Sequence, residues 1–362
     1  MWGDIAIAFL LAFVTAFVMT PYTIRLAKKV GAIDMPEKRR INEEPVPRLG
    51  GIAVIIGFLL SSTYLLIAMT LEKTFNPFGE EMYFHKLIGI LIAILVLALF
   101  CYIDDVKGLP ALVKLLGQAI AAVIVVSFGT QIDNINIPFL EQTLNINNHV
   151  YIYILSVGWI IGITNAINLI DGLDGLSSGI TLISCFSLII VFTMNQSPIV
   201  AVILITALAG AIVGFMPYNF NPAKTFIGDT GAQFLGFSLA VISILGTAKT
   251  YTLLVLIAPL IILALPIADT LFAIVRRIIK GRSIKAIFSP DTGHLHHKLM
   301  KKGYTQKQAV LILYGISACF GMFAIILLES GIIKALSFAL MMIAVIAIGY
   351  KDFSKVKKED KK

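Results

Sequence analysis

Charge is what this chain has least of. Asp, Glu, Lys and Arg make up only 14% of its 362 residues, against 58% hydrophobic residues, and the mean hydropathy is +0.91. That balance excludes an ordinary soluble globular domain and predicts a polytopic helical membrane protein. Cysteine is equally scarce. Cys101, Cys185 and Cys319 stand singly in apolar stretches, so neither a disulfide framework nor a thiolate metal site is encoded. They read as small buried hydrophobes. Residues 129–149 contain no Lys or Arg. The first apolar run also lacks a basic lead-in, since only Asp4 is charged before it, and is not expected to act as a signal peptide. Internal repeats and linkers are absent, and the lysine-rich stretch 351–362 is the one low-complexity segment.

What is present is a series of apolar runs, each close to the ~20 residues a helix needs to cross the hydrocarbon. They predict an all-α fold of about eleven spans, at roughly 3–24, 51–70, 86–103, 111–128, 150–168, 176–194, 198–215, 231–247, 251–279, 308–328 and 331–350. The 251–279 run is long and holds Pro259 and Pro266, which predicts one bent or broken span. Residues 1–350 read as a single integral membrane domain and 351–362 as a basic cytoplasmic tail. The net charge of +8 is gathered in the loop after the first span, the loop after the ninth and the tail. The positive-inside rule then puts the N-terminus outside and the C-terminus in the cytoplasm, which an odd number of spans satisfies. The same charge attracts anionic lipid and anionic substrate. In the external 129–149 loop, Ile132, Ile135 and Ile137 alternate with polar residues and suggest a small hairpin.

With this topology nearly every acidic motif falls on the cytoplasmic rim. Asp104 and Asp105 end the third span. Adjacent helical residues point about 100° apart, so the two carboxylates need not share a partner. One can hold a metal while the other faces substrate or Lys107. The segment from Asn165 to Gly175 is richer still. Asn165, Asn168, Asp171 and Asp174 recur every three residues and would form one polar stripe if the helix continued. Their carboxylate and amide oxygens suit Mg²⁺, and Gly172 and Gly175 allow a tight turn near a ligand. In Phe226-Ile227-Gly228-Asp229-Thr230-Gly231, backbone N–H groups at a helix N-terminus can meet a phosphate. Asp229 would complete a magnesium site there, and Phe226 can stack on a base.

Three further features stand out. His294, His296 and His297 lie in the basic loop after the ninth span, where they can grip a diphosphate. Zinc is the alternative, though no cysteine accompanies them. Arg48, in Pro47-Arg48-Leu49-Gly50-Gly51, can pair with phosphate at the rim. Asp269 sits inside the bent span, where an acid is either functional or satisfies backbone groups freed by Pro266. A scaffold that gathers acids and histidines on one face of a bilayer is expected to be an enzyme joining a water-soluble phosphate compound to a lipid.

Taken together, these motifs resemble the polyprenyl-phosphate N-acetylhexosamine-1-phosphate transferases over nearly the whole chain. The run His294-Leu295-His296-His297-Lys298 is similar to the branch that uses UDP-N-acetylglucosamine and undecaprenyl phosphate. The muramoyl-pentapeptide branch carries a histidine run followed by acidic residues, which this chain lacks. The resemblance implies transfer of N-acetylglucosamine-1-phosphate to undecaprenyl phosphate, release of UMP, and formation of the first lipid-linked sugar of a cell-envelope polymer. It also implies Mg²⁺, with Mn²⁺ as an alternative, and a multi-pass place in the cell membrane with the site on its cytoplasmic face. UDP-N-acetylglucosamine, undecaprenyl phosphate and the bilayer are the implied partners. Nucleic acid is not among them, and a homodimer is left open.

The residues assigned on this basis fall in three groups. Asn168 and Asp229 are the metal ligands. Asp104, Asp105, Asp171 and Asp174 are the catalytic acids. Arg48, Lys107, Asn165, Phe226, His294, His296 and His297 bind substrate. Asp104 is by resemblance the base acting on the lipid phosphate. However, a phosphate monoester with a second pKa near ~6 is already largely a dianion and gains little from a base. An orienting or a covalent role for Asp104 therefore stays open. Two rivals are a phospho-N-acetylmuramoyl-pentapeptide-type transferase and, in a different class, a secondary transporter. A transporter would place its coupling acids near the midplane, where only Asp269 lies.

Overall fold

The computed structural model describes residues 2–36, 44–79, 82–132, 134–137, 142–145, 149–247, 253–283 and 293–343. The basic tail and the loop residues 284–292 lie outside this set, as do Lys38, Arg39, Arg40 and Lys285. The helices are α1 (Trp2–Val30), α2 (Gly50–Leu71), α3 (Tyr83–Lys107), α4 (Ala111–Ser127), α5 (His149–Ile170), α6 (Leu176–Met194), α7 (Ile199–Asn219) and α8 (Gly228–Thr247). Then follow α9 (Leu253–Ile262), α10 (Ala264–Gly281), α11 (Leu295–Lys301) and α12 (Gln306–Ser330), and α13 (Ile332–Ile343). Two short antiparallel pairs interrupt them. β1 (Ile33–Asp34) pairs with β2 (Val46–Pro47), and β3 (Asn134–Ile137) pairs with β4 (Gln142–Asn145), the hairpin expected in that loop.

Eight of the described helices, α1, α2, α3, α5, α6, α7, α8 and α12, are long and apolar enough to cross a bilayer. The chain is a multi-pass, all-helical membrane protein, the architecture that satisfies backbone groups without water. The proline-bearing run is broken as its sequence suggests: α9 and α10 meet at Leu263, between Pro259 and Pro266. Pro266 has no N–H to donate back into the preceding turn.

Burial is uneven among the helices. α8 is enclosed along its length, from Thr230 to Thr247, whereas α1, α3 and α12 turn wide apolar faces outward. Small residues allow the closest approaches. Gly210 and Gly214 of α7 lie against the carbonyls of Phe9 and Phe13 in α1, with no room for a Cβ. Gly51 of α2 meets the backbone of Gly231 in α8 in the same way. The central helix α8 therefore carries its first turn, with Asp229, into the middle of one end of the bundle. Gly50 and Gly51 N–H donate to the Phe226 and Ile227 carbonyls at 3.0 and 2.8 Å, tying the start of α2 to the chain that leads into α8.

Candidate active site

The N-terminus of α8 is occupied by a carboxylate of the protein itself. Asp105 accepts from Asp229 N–H at 3.0 Å, Thr230 N–H at 2.9 Å and Thr230 Oγ1 at 2.6 Å. The sequence suggests that these N–H groups would greet a substrate phosphate. Instead the positive helix end serves to hold Asp105. Arg48 completes its surroundings, with Nε and Nη2 each 3.0 Å from Oδ1. The same guanidinium lies 3.6 Å from Asp34 and 3.5 Å from Asp229. Arg48 is thus spread over three carboxylates.

Asp104 points elsewhere, as the turn between adjacent helical residues requires. Its Oδ1 accepts from Leu109 N–H at 2.7 Å, and its Oδ2 lies 2.5 Å from Lys114 Nζ. Lys114 also reaches Asp229 Oδ2 at 3.1 Å. The expected partner Lys107 is exposed at the end of α3, and Lys114, in the first turn of α4, takes its place beside Asp104. Asn168 Nδ2 donates to Asp229 Oδ1 at 2.7 Å. Asp229, on α8, is therefore the point on which α4, α5 and the segment leading into α2 converge.

The polar stripe expected from Asn165 to Asp174 is split. α5 ends at Ile170, and the chain turns through Gly172 to Gly175, which has φ +73°. Asn165 and Asn168 remain on the helix, while Asp171 and Asp174 leave it. Asn165 donates to Gln118 Oε1, and Gln118 donates to Gln233 Oε1 at 2.9 Å, an amide chain packed beneath the acids. Asp171 accepts from Ser177 Oγ at 2.6 Å. Burial, with the charges of Asp229, Asp105 and Asp174 added, pushes its carboxyl up to about 7. Asp174 accepts from Asn221 Nδ2 at 2.8 Å and from Ala223 N–H at 3.1 Å, and Asn221 also donates to Gln306 at 2.9 Å. Asp174 thereby pins the 219–226 loop.

The three histidines have three different surroundings. His294 is buried, with Nδ1 2.8 Å from Asp269 Oδ2, and Asp269 Oδ1 accepts Leu295 N–H at 3.0 Å. Asp269 thus fastens the start of α11 to α10. His296 is also buried, stacked at 5.8 Å on His294, and its ring fills the place a Cβ on Gly172 would take. Burial and the neighbouring histidines lower it to about 3, so it stays neutral at physiological pH. His297 alone of the three lines open space.

That space is a cavity of ≈ 350 Å³ lined by Arg48, Asp171, Asp174, Phe226, Asp229 and His297, together with Asp34 and Gln306. Asp104, Asp105 and Asn168 support its floor through Asp229 and Arg48. Asn165, His294 and His296 lie behind its wall. Sequence reasoning passed over Asp34, Gln306 and, above all, Lys114. A lone lysine opening the apolar run 111–127 is itself a signal, since charge inside such a run is rare without function.

Comparison with known proteins points to one family. Residues 87–247 match Glycosyl transferase family 4. A protein of Bacillus subtilis (strain 168) named "Probable undecaprenyl-phosphate N-acetylglucosaminyl 1-phosphate transferase" is 38% identical over 89% of this chain and 85% of its own length. A "Decaprenyl-phosphate N-acetylglucosaminephosphotransferase" of Mycobacterium leprae (strain TN) is 32% identical over 86% of this chain and 80% of its own. A "Phospho-N-acetylmuramoyl-pentapeptide-transferase" of Listeria welshimeri is 30% identical over 86% and 93%. With identity of this level across most of both chains, and the acids of its motifs converging on one cavity, this chain belongs to glycosyl transferase family 4, membrane enzymes that transfer a sugar 1-phosphate to a polyprenyl phosphate.

Proposed function

We propose that the enzyme transfers N-acetylglucosamine-1-phosphate from UDP-N-acetylglucosamine to undecaprenyl phosphate, releasing UMP. The observation that carries this reading is the cluster of Asp104, Asp105 and Asp229 around Arg48 and Lys114, set beneath a cavity of ≈ 350 Å³ at the helix ends. In the reaction an oxygen of the lipid phosphate attacks the β-phosphorus of the sugar nucleotide. The bond from that phosphorus to the bridging oxygen breaks, and UMP leaves with that oxygen. Such transfer needs positioning and charge neutralisation more than covalent help.

The donor set suits a hard divalent cation. Among the described residues no three Asp, Glu, His or Cys side chains form a metal cage, but Mg²⁺ commonly takes one or two carboxylates and completes its shell with water and substrate phosphate. Asp229 offers a carboxylate and Asn168 an amide oxygen. The ammonium between Asp104 and Asp229 marks a place already built for positive charge. Mg²⁺ held there, or Mn²⁺ in its stead, would draw charge from the phosphoryl oxygens in the transition state.

The remaining roles follow from position. Phe226 offers a ring for the uracil, His297 a donor for the diphosphate, and Asp171 lines the same cavity. Asp174 shapes the wall through the 219–226 loop. Asp105 keeps Arg48 and the start of α8 in place. Asp104 orients Lys114. The span count we favour is about eleven, with α4, α13 and the α9–α10 pair adding to the long helices and residues 1–350 forming one domain. The N-terminus is then outside and the cavity opens to the cytoplasm, where the sugar nucleotide is found. Incubating the purified enzyme with UDP-N-acetylglucosamine, undecaprenyl phosphate and Mg²⁺ tests the proposal by UMP release. Turnover only with UDP-N-acetylmuramoyl-pentapeptide would assign it to the muramoyl branch, and solute transport without UMP would overturn it.

A further inference from the structure

The cluster holds two cations, Arg48 and Lys114, bound in different ways. Arg48 is shared among Asp34, Asp105 and Asp229, and its planar fork suits such a lock. Asp105 is saturated by two backbone N–H groups, the Thr230 hydroxyl and that guanidinium. Two carboxylate oxygens lie outside that lock on Asp105: Asp104 Oδ2, and Asp229 Oδ2, which is also 3.5 Å from Arg48 Nη2. Both face one atom, Lys114 Nζ, at 2.5 and 3.1 Å. Its side chain keeps 28% of its surface exposed, and four methylenes let the ammonium move without disturbing α4.

A divalent cation seeking two carboxylates would choose the position that this ammonium holds. Two positive charges cannot share it, because like charges a few Å apart repel strongly away from bulk water. We infer that Lys114 is a resident cation that exchanges with the metal: it neutralises Asp104 and Asp229 while the site lacks metal, and metal entry drives its ammonium outward into the cavity mouth, where it meets an anionic phosphate. Metal affinity in the substrate-free enzyme is then set by competition with Lys114, and an anionic substrate that holds the displaced ammonium tightens metal binding. This rests on the metal-dependent transferase reading proposed above.

The test measures metal directly. Mn²⁺ binding to detergent-purified protein, without nucleotide or lipid, is followed by the loss of the free-ion electron paramagnetic resonance signal. Lys114→Met, which keeps the stem and removes the charge, should bind Mn²⁺ about ten-fold more tightly than the unaltered enzyme while its turnover falls. Equal or weaker binding by the variant overturns the exchange but leaves a metal-dependent transferase standing. Absence of Mn²⁺ binding in both proteins overturns the exchange and the metal assignment together. A second measurement needs no variant. Acetylation of Lys114 by a small amine reagent, read by peptide mass spectrometry, should rise when Mg²⁺ is added. Unchanged or reduced acetylation also overturns the exchange.

Discussion

Asn168 donates its side-chain N–H to Asp229 Oδ1 at 2.7 Å, joining α5 to the first turn of α8 across 61 positions of sequence. The bond fixes the rotamer of the carboxylate on which the rest of the cluster depends. It also leaves the Asn168 carbonyl oxygen available to a metal. Asp229→Ala should therefore lower Mg²⁺-dependent UMP release by more than about 100-fold, and Asn168→Ala by about 10- to 100-fold. Titrating Mg²⁺ against turnover checks this. Asn168→Ala turnover with an unchanged metal requirement would remove Asn168 from the metal site.

Asp171 predicts a pH dependence of stability. Its folded pKa of about 7 lies above the ordinary carboxylate value, so the folded state holds this proton more tightly than the unfolded chain does. The contribution favours the fold below the ordinary value and is lost as pH rises from about 4 through about 7. Thermal unfolding of metal-free protein in detergent, across that window, should show a steeper decline for the unaltered enzyme than for Asp171→Asn. Identical slopes would mean that Asp171 is ionised throughout.

The histidines should separate by assay. His297 lines the cavity and His296 is buried behind it. His297→Ala should raise KM for UDP-N-acetylglucosamine by about ten-fold and leave the lipid KM nearly unchanged. His296→Ala empties a packed position and should lower the melting temperature first. The reverse assignment of effects would place His296 against substrate.

Asp269→Ala should leave His294 and the Leu295 N–H without their partner, at a cost of about 3 kcal/mol for breaking a buried pair. The melting temperature should fall, and KM for the sugar nucleotide should rise because His294 caps the short helix that carries His297. An unchanged KM beside a lowered melting temperature would limit Asp269 to a structural role.

Membrane sidedness can be read with cysteines placed at exposed positions. After replacement of the native thiols, Thr74→Cys between α2 and α3 should react with an impermeant reagent added outside intact cells, and Ser283→Cys after α10 should not. The opposite pattern would invert the topology and put the cavity on the wrong side for a nucleotide sugar.

Much of this was legible in the sequence because bilayers impose long apolar runs and prolines break them. The helices, the interruption between Pro259 and Pro266, and the β3–β4 hairpin all follow from local pattern. The acids were also visible, since charge at the edge of such runs is conspicuous. Their partners were not. Gln118 and Gln233 are 115 positions apart and meet only because α4 and α8 pack together. The capture of the α8 N-terminus by Asp105 is likewise a tertiary event, invisible to a reading in which Gly228-Asp229-Thr230-Gly231 stands alone. The three-residue spacing from Asn165 to Asp174 misled for a local reason: the glycines that offered a turn also ended the helix.

The backbone contact between Gly51 and Gly231 governs how this rim answers to mutation. A polar side chain facing the cavity, such as Asp229, can be shortened without forcing two backbones apart. The glycines have no such latitude, because one methyl group at Gly51 would push α2 off α8, and one at Gly228 would strike the Arg48 carbonyl. Alanine at those glycines should appear as fewer molecules surviving quality control in the cell, and alanine at Asp229 as a full complement of inert ones. A substitution survey that counts protein as well as product would divide the rim into an architectural half and a chemical half, with the boundary running between neighbours in the chain.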